Sequence, residues 1–90
     1  MKREDQEQEV ERKLKELTLH MVWAIVYHAD QVRVESVETA SGIELTLRVA
    51  QDDIGRVIGK KGRTISALRT LLRSSAANQG KRVRLEIVED

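Results

Sequence analysis

The sequence predicts an α+β fold with the element order α-β-β-α-α-β, in which helices pack on one face of a three-stranded sheet. Three observations lead to this prediction. Apolar residues recur every three or four positions in the first third of the chain, they alternate with polar residues in three later segments, and two glycines interrupt a second helical stretch. The chain has 90 residues, no proline and no linker-like segment, so it should form one domain around one small core.

The first helix is predicted to start near Glu9 and to end near Ala29 or Asp30. Its spacing of three and four residues defines one apolar stripe, which is expected to face the core. Glu9 precedes Lys13 by four residues, and this arrangement of opposite charges supports a helix. The stripe consists of Val10, Leu14, Leu17, Met21, Ala24, Ile25 and His28.

The period changes to two after the first helix, which predicts strands. Val32 and Val34 alternate with charged residues, and a second alternating run covers Ile43–Val49. The segment Thr39–Gly42 between them is short and contains a glycine, so the two strands are predicted to form a β-hairpin. The same alternation over Val83–Ile87 predicts the last strand.

Two further helices are predicted between the hairpin and the last strand. Asp52 is placed to cap a short helix over about Asp53–Ile58. The segment Gly59–Gly62 must then break the helical path. A longer helix over about Arg63–Asn78 carries apolar residues on one face, and Gly80 is suited to end it.

The charges are unevenly distributed along the chain. Residues 54–85 contain nine lysines and arginines and no acidic residue, although the whole chain has a net charge of only +1. Such a window produces a local field that attracts a polyanion, so nucleic acid is the predicted partner. The alternative is a solvated basic face with no partner.

Composition excludes several classes of protein. The chain has no cysteine, which excludes disulfides, a thiol nucleophile and cysteine-based zinc sites. It has no apolar run approaching the ~18 residues of a membrane span, and Met1–Glu9 is too charged for a signal peptide. A cytoplasmic protein without a membrane partner is therefore expected.

No constellation of catalytic or metal-binding residues is evident. His20 and His28 lack further ligands at a metal-binding spacing, and the pair Asp52-Asp53 is better explained by helix capping. The segment that begins at Gly59 is not a nucleotide-binding P-loop, because it does not follow a strand and lacks the required spacing. We expect no enzymatic activity, no metal, no cofactor and no small-molecule substrate.

The segment between the two later helices carries the most specific functional signal. Gly59 and Gly62 bracket Lys60 and Lys61, and glycines allow a tight turn and the close approach of another backbone. The helix that follows directs free N–H groups and the positive end of its dipole into the same space, where Arg63 adds charge. These features predict a clamp for a phosphate backbone.

This segment resembles the signature of the K-homology (KH) domain, Ile-Gly-x-x-Gly-x-x-Ile-x-x-hydrophobic, which stands here as Ile58–Leu68. In KH domains, this loop clamps about four nucleotides of single-stranded backbone. The predicted element order is similar to the type II arrangement of the KH fold. Over roughly Lys15–Val88 the chain resembles the small bacterial KH-domain protein A (KhpA) family. The resemblance rests on Lys15–Val34, Leu47–Ala50, Ile54–Thr64 and Ala67–Arg69.

The resemblance implies a cytoplasmic RNA-binding protein that forms homodimers and pairs with a larger KH partner of the KhpB type. It also implies roles in RNA chaperoning and in the control of cell shape and division. The KH domain is expected to cover residues 15–90, preceded by a partly frayed helical extension over residues 1–14. The predicted RNA-binding residues are Gly59, Lys60, Lys61, Gly62, Arg63, Arg56, Ile58, Ile65, Arg69 and Arg73.

The bases are expected to lie on an aliphatic floor rather than on aromatic rings. An RNA-recognition motif needs stacking aromatics on its strands, whereas Trp23 and Tyr27 are both predicted on the first helix. Some floor residues must also belong to the core. The predicted floor consists of Ile54, Val57, Ile58 and Ile65, with Val49 nearby.

A second apolar face of the first helix is the candidate interface. At about 100° per residue, four residues lie opposite the core stripe: Leu19, Val22, Trp23 and Val26. This face has no evident partner within the chain, so it is predicted to pair two copies. The alternative is that loops bury it.

The sequence therefore predicts a non-catalytic protein that binds single-stranded RNA through a glycine-lysine clamp. A competing hypothesis is a KH-fold module for protein interaction and dimerisation, in which RNA binding is secondary. The second apolar face favours the competing hypothesis, and the uninterrupted basic window favours RNA binding.

Overall fold

The computed structural model describes residues 3–89, with side chains from Glu9 onward. The described backbone is helical from Arg3, so the prediction that the first helix starts near Glu9 is wrong. The fraying predicted for residues 1 and 2 lies outside the described residues. The observed element order is the predicted one, and the α+β fold is confirmed. The elements are α1 (Arg3–Trp23), β1 (Arg33–Thr39), β2 (Gly42–Arg48), α2 (Ile54–Ile58), α3 (Arg63–Asn78) and β3 (Val83–Ile87).

The sheet has β2 at its centre. β1 pairs with β2 in antiparallel orientation, with Val34 opposite Leu47, and β3 pairs with β2 in parallel orientation, with Leu85 opposite Leu45. Alternate residues of β2 are buried, and those between them face away from the core. Because α1 packs on β1 and α3 packs on β3, the helices cover one face of the sheet, as predicted.

The buried stripe of α1 lies at a different rotation from the predicted one. Leu17, Met21 and Ile25 are only half-buried against the core. Thr18 is fully buried in this stripe because its hydroxyl donates a hydrogen bond to the carbonyl of Leu14, at 2.7 Å. The buried residues recur every fourth position: Val10, Leu14, Thr18 and Val22.

The rotation of α1 buries one of the predicted interface residues. Val22 has no exposed surface and belongs to the core, so the prediction that placed it on a free face is wrong. Leu19 and Val26 are half-buried against the core. Of the four predicted interface residues, Trp23 is the exposed one, with 44% of its surface accessible.

The first helix also ends earlier than predicted, at Trp23 rather than near Ala29. In a longer helix, the N–H groups of Tyr27 and His28 would donate to carbonyls one turn earlier. They donate instead to the two carboxylate oxygens of Asp53, at 3.0 and 2.9 Å. This contact with a residue distant in the sequence ends the helix at Trp23, although the apolar spacing of three and four residues continues to His28.

The predicted capping of the short helix by Asp52 is wrong. α2 begins at Ile54, after a 3₁₀ turn over Gln51–Asp53. The Asp52 carboxylate instead lies 3.0 Å from Nε2 of His28. Asp53 occupies the N-cap position, but its side chain makes no capping hydrogen bond to α2. Both carboxylates therefore face the segment that follows α1.

α3 has the predicted bounds and buries the predicted face. Gly80 follows it with a φ of +70°, which favours glycine. The N–H of Gly80 donates to the carbonyl of Ala77 at 3.0 Å, and the next N–H donates to Ala76 at 2.9 Å, so the end of the helix is closed. The buried residues of α3 are Ile65, Leu68, Leu72 and Ala76.

Candidate nucleic-acid interface

The loop between α2 and α3 is a tight turn that depends on glycine. Gly59 has φ 76° and ψ 170°, a conformation that is essentially restricted to glycine. A Cβ atom at this position would lie 2.3 Å from Oγ1 and 2.9 Å from the backbone nitrogen of Thr64. Lys61 and Gly62 also have positive φ, of 57° and 73°. The chain therefore turns sharply and leads directly into α3.

The turn exposes a group of cations at the start of α3. Lys60, Lys61 and Arg63 are exposed, and no acidic side chain in the described part of the chain forms an ion pair with them. No side chain caps the N-terminus of α3, and its first turn contains no acidic residue. The N–H of Arg63 donates to the carbonyl of Lys60, and no side chain caps the N–H groups that follow it. These N–H groups, the positive end of the helix dipole and three exposed cations share one space, which suits a phosphate group.

Two predicted RNA-binding arginines have partners within the protein. Nη1 of Arg56 donates to the carbonyl of Asp52 at 2.8 Å and to the carboxylate of Asp53 at 2.9 Å. Nε of Arg69 donates to the carbonyl of Leu85 at 3.1 Å. Their charge still adds to the local field, but their positions are fixed by the fold. Arg73, one turn after Arg69 on α3, is exposed.

The predicted aliphatic floor is divided between the core and the surface. Val57 is fully buried and Ile65 is 6% exposed, so both are core residues that present little area to a ligand. Ile54, Ile58 and Val49 are half-buried. The apolar surface available beside the clamp is therefore formed by these three side chains.

The free edge of β3 is a feature that the sequence did not predict as functional. The N–H of Val88 and the carbonyl of Arg82 bond to β2, each at 2.9 Å. Because bonding alternates along a parallel strand, residues 83, 85 and 87 direct their N–H and C=O groups away from the sheet. Of these groups, the carbonyl of Leu85 accepts the hydrogen bond from Arg69. A cleft of about 200 Å³ lies along this edge, lined by Arg69 and Arg73 from α3 and by Val83–Glu86.

Asp53 anchors the start of α2 to the segment after α1. Its side chain has no exposed surface, and it accepts hydrogen bonds from the N–H groups of Tyr27 and His28 and from Arg56. Burial raises the pKa of the Asp53 carboxyl, but these donors together outweigh that effect and hold its pKa below the ordinary value. Asp53 therefore remains ionised and fixes the orientation of the helix that leads into the clamp.

The exposed aromatic residues lie at and after the end of α1. The ring of Trp23 lies against His20, with 5.5 Å between the ring centroids. Tyr27 was predicted on the first helix, but it lies in the segment after α1, and 75% of its surface is exposed. The guanidinium carbon of Arg56 lies 3.6 Å from the centroid of the Tyr27 ring.

A mixed three-stranded sheet, with a Gly-x-x-Gly loop joining two helices above it, defines a KH domain of the type II order. The family model described as "KhpA/KhpB, KH domain" matches residues 15–87. The chain belongs to this family. No helix within the described residues is both long enough and apolar enough to cross a membrane.

Curated relatives agree with the family match. A protein of Halalkalibacterium halodurans is 42% identical over 76 residues, which cover 84% of this chain and all of that protein. A protein of Leifsonia xyli subsp. xyli is 48% identical over 71 residues, 79% of this chain and 91% of that protein. A protein of Chlamydia pneumoniae is 43% identical over 77 residues, 86% of this chain and 99% of that protein. Each of the three is named RNA-binding protein KhpA.

Proposed function

We propose that this chain binds single-stranded RNA without catalysing a reaction on it. The observation that carries the proposal is the uncapped start of α3 behind a glycine turn, with Lys60, Lys61 and Arg63 exposed around it. The names of the curated relatives, RNA-binding protein KhpA, support it. Exposed cations without protein partners can move to meet phosphates, whereas paired cations cannot do so without losing a bond.

In this proposal, the RNA backbone lies against Gly59–Gly62, where Gly59 allows the close approach of Thr64 that shapes the turn and Gly62 carries no side chain that would obstruct a phosphate. The lysines and Arg63 neutralise the phosphate charges. The bases point away from the clamp, toward the half-buried side chains of Ile54 and Ile58. Their edges reach the open cleft along β3, where the outward N–H groups of Val83 and Leu85 and the carbonyl of Val83 can pair with them.

The test is to replace Lys60 and Lys61 together by aspartate. This change removes two cations and places two anions where phosphates are expected, while both glycines of the turn remain. Hydrogen bonds to charged groups contribute roughly 1.5–3 kcal/mol each, so we expect RNA affinity to fall by about 100-fold or more. Fluorescence anisotropy with a labelled oligonucleotide measures the affinity.

A charge-matched control replaces Lys13 and Lys15 on α1 by aspartate, which changes the net charge equally. This control should retain RNA binding if the clamp, rather than total charge, is responsible. Thermal unfolding of both variants verifies that they are folded. Wild-type affinity in the Lys60→Asp/Lys61→Asp variant would exclude the clamp.

The proposal extends to assembly and location. The protein acts in the cytoplasm as a homodimer, pairs with a larger KhpB-like KH partner, and takes part in RNA chaperoning and the control of cell shape, as the family resemblance implies. The KH domain covers residues 15–90 and is preceded by an extension over residues 1–14, which is helical from Arg3 onward; the start of the family match at residue 15 supports this division.

The homodimer contact is centred on Trp23. The exposure of a tryptophan at 44% supports this part of the proposal, with the accessible parts of Leu19 and Val26 beside it. Two clamps in one particle would raise the avidity for a single RNA. Analytical ultracentrifugation of Trp23→Glu should show a folded monomer. A wild-type protein that is monomeric at high micromolar concentration would contradict the dimer.

The same residue favours the second candidate function, a module for protein interaction. RNA binding has more support, because the clamp offers a complete set of anion-binding groups, whereas the interface retains one strongly exposed residue of the predicted four. Retention of a protein partner together with loss of RNA binding in the clamp variant would separate the two functions.

A further inference from the structure

Tyr27 is an exposed aromatic residue that the fold holds in place. Its surface is 75% accessible, the largest value among the exposed large apolar residues of the described chain. Its backbone N–H donates to buried Asp53 at 3.0 Å. Its ring packs against the guanidinium of Arg56, whose central carbon is 3.6 Å from the ring centroid. The residue is therefore fixed through both its backbone and its side chain.

This arrangement leaves one ring face of Tyr27 open. Arg56 covers the first face, and the high accessibility of the side chain requires that most of the remainder faces solvent. An open aromatic face beside a cation is suited to a nucleobase, because every base has a π-face and its phosphate is attracted by the positive charge. A ring that is already fixed loses little entropy when a base stacks on it.

We infer that Tyr27, backed by Arg56, is a stacking platform for one RNA base outside the clamp. The inference rests on the proposed function and extends it: the clamp holds the backbone at one end of α2, and the platform holds an additional base at the other end. Base selection at the platform is weak, since stacking alone tolerates any base.

The geometry of α2 provides a path between the two sites. At about 100° per residue, Ile54 and Ile58 lie on one flank of the buried Val57, and Arg56 lies on the opposite flank. Gly55 points outward between the flanks, and, apart from its chain neighbours and the backbone of its own helix, no protein atom lies within 4 Å of the position that its Cβ would occupy. A single strand that leaves the apolar surface can therefore cross α2 over Gly55 and reach Tyr27. The five residues of α2 span only about 7 Å.

An RNA base fits this position better than a protein side chain. The platform borders the 54–85 window, which contains nine basic residues and no acidic one. Arg56 places its guanidinium at the ring, and its ion pair with buried Asp53 offsets part of that charge. A polyanion that already occupies the clamp brings its next base to the ring without further translational loss.

The first experiment compares two RNA lengths with two substitutions. Labelled oligouridines of about four and about eight nucleotides are titrated against wild type, Tyr27→Leu and Tyr27→Phe, since the clamp alone accounts for about four nucleotides. We expect Tyr27→Leu to weaken binding of the longer RNA roughly 5-fold to 100-fold, the range found for removal of one stacking ring. Binding of the shorter RNA should not change, and Tyr27→Phe should retain both affinities.

The second experiment uses wild-type protein, so it does not depend on the folding of a variant. The chain contains one tyrosine, so its ring protons are assigned without ambiguity in an NMR spectrum. Stacking of a base should shift them upfield when the longer RNA is added, and the shorter RNA should leave them in place. A residue with only a structural role would not show this shift.

The outcomes separate this inference from the proposed function. Equal binding of the longer RNA by Tyr27→Leu and wild type, with unchanged tyrosine resonances, would overturn the platform while the clamp stands. If neither RNA binds wild type, or if Lys60→Asp/Lys61→Asp binds both normally, the proposed function itself fails. Thermal unfolding of Tyr27→Leu shows whether any loss of affinity reflects a loss of structure.

Discussion

The two ends of α2 differ in how their polar groups are satisfied. At the N-terminal end, the buried carboxylate of Asp53 receives hydrogen bonds from Tyr27, His28 and Arg56. At the C-terminal end, Lys60 and Lys61 protrude from a glycine turn, and no described acidic side chain pairs with them. The polar groups of the first end, which we call the closed end, are satisfied within the protein, whereas the cations of the second, the open end, are available to a ligand.

This difference shows that position within a basic window does not identify a ligand contact. Arg56 and Arg69 lie in the same window as Lys60, but their donors are bonded to the protein. A closed network at one end of a short helix fixes the orientation of the open end, which lowers the ordering required when RNA binds. At the N-terminal end, the network holds Arg56 behind the ring of Tyr27, and at the C-terminal end, cations that pair with no described acidic side chain are available to an RNA backbone.

The largest effect is expected from Gly59→Ala at the open end. The backbone conformation alone costs about 1–3 kcal/mol for a residue with a Cβ, and the clash with Thr64 adds to it. We expect lower stability in urea denaturation and loss of RNA binding. Gly62→Ala is the matched control, because its φ is 73° but the atom nearest to its Cβ would be Cγ2 of Ile65, 4.0 Å away. It should cost only about 1–2 kcal/mol. Equal stability of the two variants would contradict the close approach at Gly59.

At the closed end, Asp53→Asn and Asp52→Asn form a pair of adjacent substitutions with different expected effects. Asp53 is buried and holds three donors, so its replacement should lower the Tm at neutral pH clearly. Asp52 is exposed, so its replacement should change stability by no more than about 0.5 kcal/mol.

The pH dependence of stability distinguishes the same two carboxylates. Because the pKa of Asp53 is lowered in the folded state, its contribution is complete above the unfolded pKa, near pH 4, and is lost as pH falls through the folded value. Wild type should therefore lose stability on acidification below about pH 4. Asp53→Asn should lose less stability over the same pH range, because asparagine does not titrate. An identical acid profile for Asp53→Asn and wild type would contradict the anchoring role.

A smaller effect separates the free arginines from the paired ones. Arg63→Gln should reduce the salt dependence of RNA binding by about 0.7 in the slope of log K against log salt, with thermal unfolding unchanged. Arg69→Gln should leave the slope nearly unchanged and lower stability by about 1 kcal/mol, because the carbonyl of Leu85 loses its donor. The same change of slope in both variants would show that pairing within the protein does not decide which cation binds RNA.

Local patterns in the sequence were sufficient for the elements that form the clamp. The alternation over Val83–Ile87, the bounds of α3 and the glycine turn at 59–62 are properties of neighbouring residues, and the structure confirms each of them. The KH resemblance depends on the same short segment. Periodicity and turn chemistry therefore predicted the open end of α2 well.

The closed end depends on contacts between distant residues, which no local pattern contains. Asp53 accepts hydrogen bonds from N–H groups 26 and 25 positions earlier in the chain. This contact ends α1 at Trp23, although the apolar spacing of the sequence predicts a longer helix. The rotation of α1 that buries Val22 is likewise set by the sheet on which the helix packs. The edge position of β3 follows from strand order, which residue alternation does not report.

The smallest effect is expected midway along α2, at Gly55. A glycine inside a helix is less stable than alanine by roughly 0.5–1 kcal/mol, and a Cβ at this position would meet nothing within 4 Å. Gly55→Ala should therefore raise the free energy of unfolding by about that amount.

The effect of Gly55→Ala on RNA binding should depend on the length of the RNA, because a methyl group obstructs only a strand that crosses from the open end to the closed end. Binding of the shorter oligouridine should be unchanged, and binding of the longer one should weaken a few-fold. A variant that is less stable than wild type would show that the space above Gly55 is not open. Equal binding of both lengths would show that the strand does not cross α2 at this residue, and the two ends of the helix would then act independently.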